Sequence, residues 1–177
     1  MKIVKKILLV LLILIAIPLV IAIFVKKDFF IEKQIVVNKP KADVFGYIKN
    51  LKNQNDYSVW AKLDPNMKKT YTGTDATPGF VSAWEGNSDV GKGEQEIASI
   101  VEGERMDTKL RFHTPFGIME NKSYMITEDA GNNTTRIKWA FAGHTAYPLN
   151  FMNLFMEKSV GKDLQAGLDN LKPILEK

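Results

Sequence analysis

The sequence predicts an α+β chain: a curved seven-stranded antiparallel sheet gripping a long C-terminal helix, preceded by an N-terminal transmembrane helix. Three observations predict it. Residues 7–25 form one unbroken apolar run. Segments with strand character then follow one another from Met67 to Gly143. Finally Val160, Leu164, Leu168, Leu171 and Leu175 recur at helical spacing, an apolar stripe about four turns long.

The apolar run is fenced by Lys2, Lys5 and Lys6 before it and by Lys26 and Lys27 after it. At roughly 1.5 Å per residue its helix is about 28 Å long, close to the roughly 30 Å hydrocarbon core of a bilayer. A secretory signal shares the basic-then-apolar order. Its apolar region, however, is usually about 7 to 15 residues and ends at a small-x-small cleavage site. Here Ile21, Ala22, Ile23 and Phe24 lead straight into lysines, so an uncleaved anchor over residues 1–28 is expected, with the lipid bilayer as partner of residues 7–25. Pro18 inside the run is tolerated by membrane helices. With no cysteine in the chain, a lipidated cysteine anchor is excluded. The lysine counts on the two sides are similar. A short basic tail before a first apolar segment usually stays in the cytoplasm, which places the domain outside and the protein in the cell membrane as a single-pass chain.

Five of the 24 basic residues and one of the 20 acidic residues lie in the first 28 positions, so residues 29–177 are formally neutral. The basic pI of about 9.1 therefore comes from the anchor flanks, and nucleic acid is not an expected partner. No Pro/Ser/Gly-rich linker or internal repeat divides residues 29–177, which read as one domain with one core. Nothing in the sequence sets an oligomeric state.

The elements follow in order. Phe29 to Val37 is β-rich and ends at Asn38-Lys39-Pro40, where the proline suits a helix start. Ala42, Val44, Phe45, Ile48 and Leu51 give an amphipathic stripe, and the polar segment Lys52 to Tyr57 leads to Val59-Trp60, so two short helices are expected. Strands are then expected at Met67–Thr72, Phe80–Glu85, Gly93–Val101, Arg105–His113, Lys122–Thr127 and Thr135–Gly143. Their connections carry turn residues, among them Thr77-Pro78-Gly79, Glu102-Gly103-Glu104, Pro115-Phe116-Gly117 and Ala130-Gly131-Asn132-Asn133. Six strands in series plus the first imply a meander. A strongly curved sheet does not press flat on a straight helix, so a cavity between them is expected.

Four segments carry a resemblance: Val37 to Phe45 (VNKPKADVF), Gly91 to Ile97 (GKGEQEI), Leu110 to Phe116 (LRFHTPF) and Gly161 to Lys172 (GKDLQAGLDNLK). In this order they resemble the START-like, helix-grip SRPBCC superfamily, in particular its bacterial polyketide cyclase/dehydrase and lipid transport branch. The resemblance covers Phe29 to Lys177 and implies the helix-grip fold. It does not imply one activity, because the superfamily includes lipid carriers, hormone receptors, cyclases and oxygenase subunits, and a fold does not transfer chemistry.

The residues themselves narrow the chemistry. The two histidines, His113 and His144, fall on separate expected strands with no carboxylate at ligand spacing, so no metal and no cofactor are expected. There is no G-x-S-x-G elbow, and Gly91-Lys92-Gly93 lacks the third glycine of a phosphate loop. Glu94, Glu96 and Arg111 form the best charged cluster. Alternation with Ile97, Leu110 and Phe112 inward puts all three outward, as a cross-strand ion pair. The same alternation, extended along the sheet, nominates Trp84, Leu110, Phe112, Tyr124, Ile126, Ile137, Trp139 and Phe141 as one inner face. Phe151, Leu154 and Phe155 join it from the entry to the last helix. From this set and the short helices, Trp60, Trp84, Leu110, Phe112, Tyr124, Trp139, Phe141 and Phe155 are the expected ligand contacts. The first expected function is a membrane-anchored binding domain for an apolar small molecule, a lipid or polycyclic ligand. The alternatives are a cyclase-like or hydrolase-like enzyme using Glu96, Arg111, His113 or Tyr124 in the same cavity, and a protein-interaction domain without a ligand.

Overall fold

The computed structural model describes residues 2–115 and 117–177. The apolar run is one helix, α1 (Lys2–Phe24), with Pro18 inside it. Ile3–Phe24 has a mean hydropathy of 3.5 and is almost wholly uncovered by the rest of the protein. Its length and composition suit a bilayer crossing, a description that a signal sequence also meets.

Seven strands build one antiparallel sheet: β1 (Asp28–Val37), β2 (Lys68–Thr72), β3 (Val81–Glu85), β4 (Lys92–Val101), β5 (Arg105–Thr114), β6 (Gly117–Gly131) and β7 (Thr134–His144). Their order is β1-β7-β6-β5-β4-β3-β2. The meander is as expected, with β1 closing beside β7 so that Asp28 faces His144 and Val37 faces Thr135. Between β1 and β2 the chain forms α2 (Lys41–Ile48) and α3 (Gln54–Tyr57), with 3-10 turns at Leu51–Asn53 and Trp60–Lys62. Pro40 sits just before α2, and its carbonyl accepts from the amides of Asp43 and Val44 at 3.1 Å. A last 3-10 turn, Leu149–Met152, leads into α4 (Asn153–Leu175).

The sheet departs from the sequence expectation mainly at β6, which has 15 residues rather than the segment Lys122–Thr127. Its polar stretches, Glu120-Asn121 before the expected segment and Glu128-Asp129 after it, cut the reading short. Those polar residues pair across the outer face: Glu128 with Lys138 and Arg136, and Glu120 with Arg111. The β6–β7 turn is made by Asn132 and Asn133, both at positive φ, the pattern of a tight two-residue hairpin. Of the expected turn at 115–117, Phe116 lies outside the described residues.

Register shifts at Ile97/Ser99 in β4 and at Asp129/Gly131 in β6 bend the sheet. On its concave side α4 buries Gly161, Leu164, Gly167, Leu168, Leu171 and Leu175. These join Val44, Phe45 and Ile48 from α2, Tyr57 from α3, and Ile31, Ile137 and Trp139 from the sheet in the main core. Each fully buried Leu or Ile side chain contributes about 1.5–3 kcal/mol, so this cluster is what holds α4 in the grip of the sheet. Gly167 decides how close α4 comes. A Cβ there would stand 2.7 Å from the Trp139 ring, so only glycine lets the helix lie over that indole.

Candidate binding cavity

The core fills the half of the concave face near the end of α4. The other half is open. A cavity of about 230 Å³ lies between the sheet, the first turns of α4, α3 and the Trp60–Lys62 turn. It is somewhat below the roughly 300–1,000 Å³ of most ligand sites.

Its floor is aromatic for a local reason. On β3, β5 and β7, Trp84, Phe112 and Phe141 point inward, and their rings meet edge to face at 5.8 and 6.5 Å. Trp84 lies across β4 at Gly93, where a Cβ would come within 2.6 Å of the indole. Trp60 from the roof stands perpendicular to Trp139 at 6.2 Å. Leu110, Val160 and Leu164 complete the apolar wall. All three tryptophans of the chain therefore line one cavity.

Several polar groups of the floor bond one another. Gln95 donates to Thr108 at 3.0 Å, Thr108 to the Ser123 carbonyl at 3.3 Å, and the Trp139 indole to the Ser123 hydroxyl at 3.2 Å. Beside them the buried Asn121 Oδ1 has no hydrogen-bond partner among the described residues. Among the described residues the one charged group on the wall is Lys69, half-buried on β2 and without an ion-pair partner there. The roof is pinned by Asp75, whose carboxylate accepts from the amides of Leu51 and Lys52 at 2.8 and 3.1 Å. Asn170 of α4 adds a bond to the Tyr57 carbonyl at 3.0 Å.

Of the residues nominated from sequence, Trp60, Trp84, Leu110, Phe112, Trp139 and Phe141 line this cavity. Tyr124 and Phe155 do not. Tyr124 and Ile126 sit on the convex face, because on β6 it is Asn121, Ser123, Met125 and Thr127 that alternate inward. The Tyr124 hydroxyl donates to Glu32, and the Arg105 guanidinium lies 4.1 Å from its ring. Burial and then the bond to Glu32 raise the Tyr124 phenol to about 12. A readable signal existed: Lys122, Tyr124, Ile126 and Glu128 share one phase of β6, and two charges on a face mark it as the solvent side. Phe155 and Leu154, in the first turn of α4, are exposed, because the part of α4 that faces the sheet is the stripe beginning at Val160.

The candidate enzyme residues also lie outside the cavity. Arg111 bonds Glu94 and Glu96 at 2.7 Å each on the convex face, as alternation requires, and these two carboxylates hold its guanidinium well above its ordinary range. His113, two residues on, is exposed on the same face. Ser123, Gln95 and Lys69 are the site residues that apolar and aromatic pattern alone passed over. They are polar residues in inward phase, which a search for apolar and aromatic residues does not pick out.

The family described as polyketide cyclase / dehydrase and lipid transport matches residues 29–176. The chain belongs to this family. Among curated proteins there is no match. Solved structures similar to this chain include a hypothetical protein from Helicobacter pylori, 14% identical, with a TM-score of 0.65, covering 86% of this chain and 89% of its own. Norcoclaurine synthase from Thalictrum flavum is 11% identical, with a TM-score of 0.64, covering 84% and 93%. The Aha1 dimer from Colwellia psychrerythraea is 13% identical, with a TM-score of 0.59, covering 84% and 96%. At these identities the likeness is one of fold. The family's helix-grip fold is compatible with binding of hydrophobic small molecules.

Proposed function

We propose that this polyketide cyclase/dehydrase and lipid transport family member is a membrane-anchored binding protein: residues 1–28 hold it to a bilayer, and residues 29–177 hold an apolar small molecule between sheet and α4. The observation that carries the reading is the aromatic-walled cavity, in whose floor Gln95, Thr108, Ser123 and the Trp139 indole bond one another, so that a guest meets mainly apolar surface. Trp60, Trp84, Leu110, Phe112, Trp139 and Phe141 are its contacts. Lys69 adds a single cation at the rim, which suits an amphiphile with an apolar body and an acidic end. The anchor brings the site to where such molecules are concentrated. Lys2, Lys5 and Lys6 stay in the cytoplasm in this reading, with the domain on the other side.

Intrinsic fluorescence tests it directly, because every tryptophan of the chain is in the cavity wall and none is in α1. Full-length protein in lipid nanodiscs is titrated with a dibrominated fatty acid. Saturable quenching that approaches one ligand per chain, and that unbrominated fatty acid reverses, is expected. Quenching that rises linearly without saturation would sink the proposal.

A further inference from the structure

The junction between α1 and the rest of the chain is bonded, not free. Asn150 is completely buried, and its side-chain amide donates to the carbonyls of Ala22 and Val25 at 2.7 Å. Asn153 donates to the carbonyls of Lys26 and Lys27 at 3.0 Å, while Thr145 bonds both the Lys27 carbonyl and the Asn153 side chain at 2.8 Å. These bonds take up carbonyls that a helix end otherwise leaves open. They also fix the angle at which the domain meets α1.

Around this clamp the surface is apolar. Phe24, Phe30, Leu149, Met152, Leu154 and Phe155 are all 45% exposed or more. A second element reaches the same end. Strand register puts the start of β6 beyond the end of β7, since Asn121 already faces Gly143, so Ile118 projects past His144 on the α1 side. Ile118 is 60% exposed. Of the acids nearby, Glu157 pairs with Lys33 and Glu120 with Arg111, and Asp28 is hydrogen-bonded to His144. The exposed Lys26, Lys27 and Lys158 have no ion-pair partner among the described residues. An apolar patch fringed by unpaired lysines, fixed at the end of an apolar helix, has the composition of a surface that lies in a headgroup layer with anionic lipids.

We infer that this face, made by the Leu149–Met152 turn, the first turn of α4, the start of β1 and the start of β6, rests on the bilayer that α1 crosses. The inference rests on the anchor reading above. The domain then lies on the membrane instead of standing off it. A path follows: a cleft lined by Phe24, Phe29 and Leu154, with Lys26, Asp28 and Glu157 also on its wall, opens at this face, and the Phe29 ring packs 5.4 Å from Phe141 of the cavity. Lipid is thus separated from the cavity by one aromatic pair.

The natural absence of cysteine makes single-site spin labelling of the full chain clean. Leu14→Cys, Phe155→Cys, Ile118→Cys and Glu104→Cys are labelled and reconstituted into vesicles of phosphatidylcholine and phosphatidylglycerol. Collision with oxygen, which enriches in lipid, is compared with collision with a water-soluble nickel chelate. Phe155 and Ile118 are expected to fall between Leu14 and Glu104, with oxygen-to-nickel ratios severalfold above Glu104, which sits at the far end of the sheet. Ratios at Phe155 and Ile118 equal to Glu104, with Leu14 still lipid-like, overturn the inference while leaving the anchor intact. Nickel access at Leu14 overturns the anchor and this inference together. Low access to both reagents at Phe155, with dipolar broadening between labels, assigns the face to a second copy of the chain and likewise overturns it.

Discussion

Gly167 is where a single hydrogen atom decides the geometry of the site. In an exposed helix Gly→Ala is stabilising by up to about 1 kcal/mol. Here the added Cβ would press on the Trp139 ring, which is held from below by Ser123 and edge-on by Tyr57 at 5.6 Å. Gly167→Ala is therefore expected to destabilise by about 1–3 kcal/mol, the usual cost of overpacking. Thermal unfolding checks the sign, and a shift in tryptophan emission at native temperature checks that the indole has moved. At this scale the sequence was legible where side-chain chemistry and alternation agreed. Phe112 and Trp139 each sit in a strand whose other phase is charged, and both face inward. Tyr124 was misplaced because the aromatic phase of β6 is the outer one, and an amphipathic ring finds cover there from Arg105 and Phe30. A reading of hydrophobicity alone does not find Ser123 or Asn121, whose inward places follow from the charged phase of β6 opposite them.

Among the elements, the helices were the most legible, since the stripe from Val160 to Leu175 is set by one chain segment alone. Strand ends were the least, because β6 runs on through polar residues that cross-strand ion pairs hold, Glu120 to Arg111 and Glu128 to Lys138. Those convex-face pairs carry the pH dependence. Asp107 accepts from Arg105 at 2.6 and 2.9 Å, and that bond holds its carboxyl below the ordinary carboxylate range. A depressed carboxylate stabilises the fold above its unfolded pKa and loses that contribution as pH falls through its folded one. Both groups are partly exposed, so the pair contributes about 0.2–1 kcal/mol. Asp107→Asn is expected to lower stability by that amount at neutral pH, and the difference from the parent should vanish once the medium is more acidic than the usual carboxylate range. Denaturant unfolding at the two pH values measures it; an equal deficit at both would assign the loss to something other than charge. On the concave side the scale is larger. Leu168→Ala removes a fully buried side chain from the α4 stripe and is expected to cost about 2–5 kcal/mol.

For the molecule as a whole, half of the concave face is packed and half is open, and the open half is the one nearer α1. An unfilled apolar volume forfeits dispersion contacts that a packed core would make, so it weakens the fold unless a guest restores them. Val160 tests whether that weakness is the function. It lines the cavity from the first turns of α4, and its side chain is only half-buried, so a larger group there grows into open space. Val160→Phe is expected to leave stability unchanged or raise it by about 0.5–2 kcal/mol, as cavity-filling changes do. It should also abolish the saturable quenching of the tryptophans. The parent protein, in contrast, should gain about 2.7 kcal/mol at a ligand concentration one hundredfold above Kd, because ligand binds only the folded chain. Thermal unfolding of parent and variant with and without fatty acid reads both effects at once. A ligand-induced rise in Tm in the parent that the variant lacks locates the guest in this cavity. An equal rise in both would place it elsewhere, and a large loss of stability in Val160→Phe would mean that the wall opposite α4 is a packed core without room to give.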